Sequence, residues 1–115
     1  MENIFTIITS NISLLVGIIF LITALILFKF PPKDINHLYG YRTSRSMKSQ
    51  ESWYFAQRYS AIRMVWLSIV LILFGIIDLF YLEGYEITMY VGLALMILGF
   101  IYIIITTERE LKKRF

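Results

Sequence analysis

Three stretches of the chain run uncharged, or nearly so, for the length of a membrane crossing. Residues 3–28 form the first, 26 positions without Asp, Glu, Lys or Arg, against the roughly 20 apolar residues that carry a helix across a bilayer. Its centre, Leu14-Leu15-Val16-Gly17-Ile18-Ile19-Phe20-Leu21-Ile22, is apolar on every side, a pattern that belongs in lipid or in a deep core. Lys29 and Pro31-Pro32 close it, because the second proline disfavours helix at the first and neither supplies an N–H. The second stretch covers about 64–82 and is interrupted by Asp78; the third covers 87–107, 21 uncharged residues ended by Glu108-Arg109-Glu110. The pattern predicts an all-α membrane protein of one domain, 1–115, with transmembrane helices at about 4–28, 64–82 and 87–107, a loop at 29–63 and a tail at 108–115. The segment before the first span carries Glu2 and no basic residue, and no small-x-small cleavage site follows the span. It therefore reads as a retained helix, not a signal peptide.

Composition sharpens this. Of 115 residues 58% are hydrophobic and 17% charged, with a mean hydropathy of +0.71, where a soluble domain is nearer half apolar and a quarter charged. A chain this short cannot bury so much apolar surface in one core, so lipid is the expected solvent, and disorder or a solvated nucleic-acid module is excluded. Cysteine is absent, which removes disulfides, thiol nucleophiles and Cys-based metal sites. The single histidine, His37, has no neighbouring ligand set, so neither metal nor cofactor is expected.

The charges give an orientation. The 29–63 loop holds Lys29, Lys33, Arg42, Arg45, Lys48, Arg58 and Arg63, and the tail holds Arg109, Lys112, Lys113 and Arg114, which accounts for all eleven basic residues. With three crossings those segments share one side, and the other side carries Glu2, Glu83 and Glu86 with no Lys or Arg. The positive-inside rule then predicts an N-terminus outside and a C-terminus inside a bacterial cytoplasmic membrane. Trp53, Tyr54, Tyr59 and Trp66 flank the inner boundary, and Tyr81, Tyr85 and Tyr90 the outer one, where amphipathic rings prefer to sit. Asp78 is expected near the outer surface, solvated at the interface, and Arg63 as a snorkelling anchor. Lys112-Lys113-Arg114 reads as a topology determinant attracted to anionic lipid. Gly92, Gly99 and Thr106, seven apart, and Ser13-x-x-x-Gly17 permit close helix approach, either within the monomer or at a homodimer face.

The 29–63 loop is expected to be ordered. Its first half is turn-rich, with Asn36 and with Gly40 between two tyrosines. From Ser46 onward it reads as helix, with Ser46 or Ser49 as N-cap and Glu51 in an early turn. A helix over 47–82 would measure about 54 Å at ~1.5 Å per residue, so it either projects from the bilayer or bends near 60–63. Trp53, Ala56, Gln57 and Ser60 share one face, Phe55, Arg58 and Ile62 another, with Tyr54 and Tyr59 between. Aromatics all round predict packing on more than one side, against the first half of the loop or a second subunit. The guanidinium of Arg42 suits a phosphate or carboxylate; a lipid headgroup and an ion pair with Asp34 are the plainer readings. Asn36, Tyr39 and Gly40 either shape a binding surface or fold the loop on itself.

The run Pro31-Pro32-x-x-Ile35-Asn36-x-x-Tyr39-Gly40-Tyr41-Arg42-Thr43-x-x-Ser46, followed by Trp53 and Ala56, resembles the SdpI family of bacterial membrane proteins. Its place between the first two of three spans matches as well, and the resemblance extends from the end of the first span through the third. Two positions differ: Ser49, where the family pattern has asparagine, and Ser52, where it has threonine. What the resemblance implies is immunity to a secreted peptide toxin, with signalling in which a cytoplasmic DNA-binding autorepressor is held at the membrane when toxin is present. The implied partners are the lipid bilayer, the toxin and the repressor, with no direct nucleic-acid contact. The residues carrying it would be Asn36, Tyr39, Gly40, Tyr41, Arg42, Thr43, Ser46, Trp53 and Ala56.

The residues themselves point away from an enzyme, since no paired carboxylates, metal cluster or nucleophile with an oriented base can be found. A membrane enzyme acting on lipid headgroups would rest on the loop's Arg, Tyr, Ser and His content alone. The main alternative to an immunity protein is a small transporter or channel component. Three spans enclose little volume, so it would work as a homo-oligomer with its path at subunit interfaces.

Overall fold

Helices in lipid gain no hydrophobic free energy by meeting each other, so residues that let backbones approach decide where spans touch. The computed structural model describes Ile4 and residues 11–82 and 86–115. The expected start of the first span, at 5–10, and the expected turn at 83–86 lie outside the described residues, apart from Glu86. The element order is α1 (Ile12–Lys29), α2 (Gln50–Ile77), a π-helical turn Asp78–Leu82 that continues α2, and α3 (Glu86–Arg114), with no strand among the described residues. Each of the three helices is long and apolar enough to cross a membrane.

The uncharged run at 3–28 is not one uninterrupted helix. Asn11 leaves helical geometry, with φ −112° and ψ 101°, and its Oδ1 accepts the Leu14 N–H at 3.1 Å. Asparagine offers the backbone a local alternative to helix, and here it caps α1. Its Nδ2 meanwhile donates to the Gly75 carbonyl at 2.9 Å, tying the start of α1 to α2. The remaining 18 residues span about 27 Å at ~1.5 Å per residue, close to the ~30 Å hydrocarbon thickness.

The helix expected from 47 starts at Gln50 and stays α-helical through residues 60–63. The molecule measures 52 × 23 × 18 Å, so α2 projects beyond a bilayer-length segment instead of folding along it. α3 also outruns its expected span, continuing as helix to Arg114. The tail is thereby carried as two more helical turns beside the projecting part of α2.

Small residues bring the spans together. A β-carbon at Gly17 would lie 2.8 Å from the Ile72 Cγ1, and one at Gly75 would lie 2.8 Å from the Leu14 nitrogen. Gly92 packs on Ser13, and Gly99 on Leu67. Both glycines of α3 are therefore used inside the monomer, the first of the two readings their spacing allowed. Large side chains such as Ile19, Leu73 and Leu98 point outward, half or more exposed, as lipid-facing residues should. Asp78 departs from expectation. It is buried, at 9% exposure, because it lies three residues after Gly75 and so shares the helix face that packs on α1.

Candidate functional site

All the basic residues gather at one end, where the loop folds onto the projecting part of α2 and the end of α3 reaches it. The turn forms first. The Asn36 Oδ1 accepts the N–H groups of Leu38 and Tyr39 at 2.9 and 2.7 Å, and its Nδ2 donates to the Asp34 carbonyl at 3.1 Å. The Tyr39 hydroxyl donates to the Phe30 carbonyl at 3.0 Å, closing the loop over the end of α1. Gly40 then takes φ +101°, a region that side-chain-bearing residues rarely adopt. A β-carbon there would collide with the Gln57 amide and lie 2.9 Å from Pro32.

That clearance lets a helix side chain bind the loop's backbone. The Gln57 Oε1 accepts the Tyr41 N–H at 2.6 Å, and its Nε2 donates to the Tyr41 carbonyl at 2.7 Å. One primary amide thus satisfies both peptide groups of a residue 16 positions away, as a strand partner would. Gln57 is 1% exposed, so the amide itself is spent on these two bonds. The Trp53 Nε1–H donates to the Pro32 carbonyl at 2.8 Å, and the Gln50 side chain donates to the Lys33 carbonyl. Ala56 is fully buried on the same face. The face predicted from helical spacing, Trp53, Ala56, Gln57 and Ser60, is the buried one.

Two reciprocal hydroxyl boxes lead into α2. In the first, the Thr43 N–H donates to the Ser46 Oγ at 2.8 Å and the Ser46 N–H to the Thr43 Oγ1 at 3.2 Å. In the second, the Ser52 N–H donates to the Ser49 Oγ at 3.1 Å and the Ser49 N–H to the Ser52 Oγ at 3.0 Å, a capping box. Ser46 and Ser52 are fully buried. The cap therefore forms at Ser49, not Ser46, and serine serves where the family pattern has asparagine, both being strong N-cap residues.

The end of α3 supplies the third side. The Tyr41 hydroxyl donates to the Glu108 Oε1 at 2.8 Å, and Arg45 pairs with Glu108 at 3.6 Å. Burial, and after it the Glu108 carboxylate, push the Tyr41 phenol well above the ordinary tyrosine range. Arg114 stacks over the Phe55 ring at 4.7 Å and pairs with Glu110 at 3.3 Å, while Phe115 packs on Phe55. Arg114 lies against α2 because α3 stays helical to that residue.

The predicted residues therefore separate. Asn36, Tyr39, Gly40, Tyr41, Thr43, Ser46, Trp53 and Ala56 build the fold of the loop. Arg42 does not: it is exposed and, among the described residues, makes no ion pair or hydrogen bond, with Asp34 or any other residue. Gln57 and Glu108 were not among the candidates. A glutamine on an otherwise apolar helix face was the available signal for the first, since a buried amide needs partners; nothing local marks Glu108.

A family model described as the SdpI/YfhL protein family matches residues 33–107. The chain belongs to this family. A Bacillus subtilis (strain 168) relative named "Uncharacterized protein YfhL" is 36% identical over 99 residues, covering 84% of this chain and 82% of its own. No solved structure matches significantly. The SdpI/YfhL match takes in the loop from Lys33 onward and Gln57, and ends one residue before Glu108. The protein is thus an SdpI-type membrane protein, all-helical with three apolar spans.

Proposed function

We propose that this SdpI-type protein is a non-enzymatic immunity factor that protects a bacterium from a secreted peptide toxin. Its basic end faces the cytoplasm, and Arg42 is presented there to an acidic group on a signalling partner. The observation that carries the reading is the contrast within one short run. Tyr41 is fastened to Gln57 of α2 and Glu108 of α3, and Thr43 to Ser46 within the loop, by part-buried hydrogen bonds, while Arg42 has none of its own. A guanidinium on a rigid ledge loses little conformational freedom on binding and presents its donors in a fixed fork. Family membership supports the immunity half, and the eleven-to-zero distribution of basic residues supports the orientation.

The test is heterologous expression in toxin-sensitive cells challenged with a panel of secreted peptide toxins. Survival of expressing cells against at least one toxin, at concentrations that kill the empty-vector strain, is the expected result. Equal killing of both strains across the panel overturns immunity.

A further inference from the structure

About two helical turns along α2 from Ala56, where the apolar stretch begins, Arg63 and two tyrosines form a cluster rich in donors. The Arg63 Nη1 donates to the Tyr102 hydroxyl at 3.3 Å and its Nη2 to the Tyr59 hydroxyl at 3.0 Å. The guanidinium lies 4.9 Å from the Tyr59 ring centroid and 6.0 Å from that of Tyr102. Arginine has five N–H donors, and these two bonds leave three. Each phenol oxygen accepts from Arg63, which leaves its own hydrogen to donate elsewhere. No carboxylate among the described residues lies within ion-pair distance of Arg63. A half-buried cation with two phenols and no counter-charge is an arrangement that an anion completes.

Directly along the span from this cluster runs a groove of about 260 Å³ between α2 and α3, lined by Arg63, Trp66, Leu67, Val70, Gly99 and Ile103. From Arg63 to Val70 it extends about 10 Å into the apolar stretch, at ~1.5 Å per residue. Beyond Arg63 its lining is apolar, from Trp66, Leu67, Val70 and Ile103, so it suits a hydrocarbon chain. A headgroup carrying a compensating cation would bring a charge that nothing here neutralises, so charge complementarity selects a net anionic lipid.

We propose that Tyr59, Arg63 and Tyr102 bind the phosphate of an anionic phospholipid whose acyl chain lies in the groove beside Trp66, Val70 and Gly99. The site differs from a snorkelling anchor in needing the fork geometry as well as the charge. Lysine keeps the charge but offers a single nitrogen, which cannot bridge both phenols and still present several donors to a phosphate.

The test is native mass spectrometry of the full chain in mild detergent, supplied with equal phosphatidylglycerol and phosphatidylcholine. Wild type should retain one phosphatidylglycerol per chain in preference to phosphatidylcholine. R63K and Y102F should each weaken retention by about tenfold, the worth of a charge-assisted hydrogen bond, with unchanged melting in detergent. V70W, which fills the groove from an exposed position, should lower it similarly. Equal retention of both lipids by wild type, or R63K behaving as wild type, overturns the proposal. Competition by glycerol phosphate as effective as that by the intact lipid overturns the acyl-chain half, and lipid-free dimers in the same spectra would assign the groove to a second copy instead.

Discussion

Between Gln50 and Ser60, α2 is wrapped by a polar segment that hydrogen-bonds to it through Gln50, Ser52, Trp53 and Gln57. Between Ser68 and Gly75 the same helix meets α1 through small residues and backbone, with the Asn11 to Gly75 bond as a cross-helix link. In lipid the spans need only close approach, which serine and glycine supply. Outside it, water competes for every peptide group of the loop, so the fold depends on side chains that satisfy those groups in specific pairs. That is why the recognisable motif lies in the loop while the spans are distinguished mainly by composition.

Substitution at Gly40 should cost the loop most. Gly40→Ala adds left-handed backbone strain and a clash with the Gln57 amide, and should destabilise the loop by about 3 kcal/mol. Trypsin should then cut readily at Arg42 and Arg45 while the spans stay intact. Gln57→Glu keeps the shape but removes the donor to the Tyr41 carbonyl, for a cost of about 2 kcal/mol. Faster hydrogen exchange at the Tyr41 amide would report it.

Tyr41→Phe is milder, about 1 kcal/mol for one partly buried hydrogen bond, and it carries a pH signature. The folded phenol titrates above its unfolded value, so the folded state holds a proton that the unfolded chain has already released. This contribution is complete below about pH 10, the ordinary tyrosine value, and is lost as the pH climbs through the higher folded value. Loop protection against trypsin or hydrogen exchange should therefore weaken on the alkaline side in wild type and lose that dependence in Tyr41→Phe. Thr107→Val should change least. The Thr107 hydroxyl is fully buried with no hydrogen-bond partner among the described residues, so an apolar replacement of the same shape should leave the melting temperature unchanged or slightly raised.

Much of this architecture is legible in the residues. The charge-free runs give three spans, and helical spacing alone identifies the Trp53, Ala56, Gln57 and Ser60 face that the loop covers. What escapes a reading along the chain is pairing at a distance. Tyr41 and Glu108 are 67 residues apart, and Gln57 reaches Tyr41 only because Gly40 turns the chain at positive φ. Asn11 starts a helix partway along an uncharged run that hydropathy reads as continuous, because its side-chain amide caps the first turn. Asp78 reads as an interface acid because it lies late in the second span with Glu83 and Glu86 close by in the sequence, whereas its position three residues after Gly75 sets its burial.

If Arg42 acts from a ledge that the loop's other motif residues hold, its side chain should matter to protection and not to the fold. The most direct measurement pairs toxin survival with membrane abundance and trypsin resistance for Arg42→Ala beside wild type. Wild-type abundance and a trypsin-resistant loop, with protection lost, are the expected result. Full protection by Arg42→Ala at equal abundance would contradict it and leave Arg42 as one more surface charge.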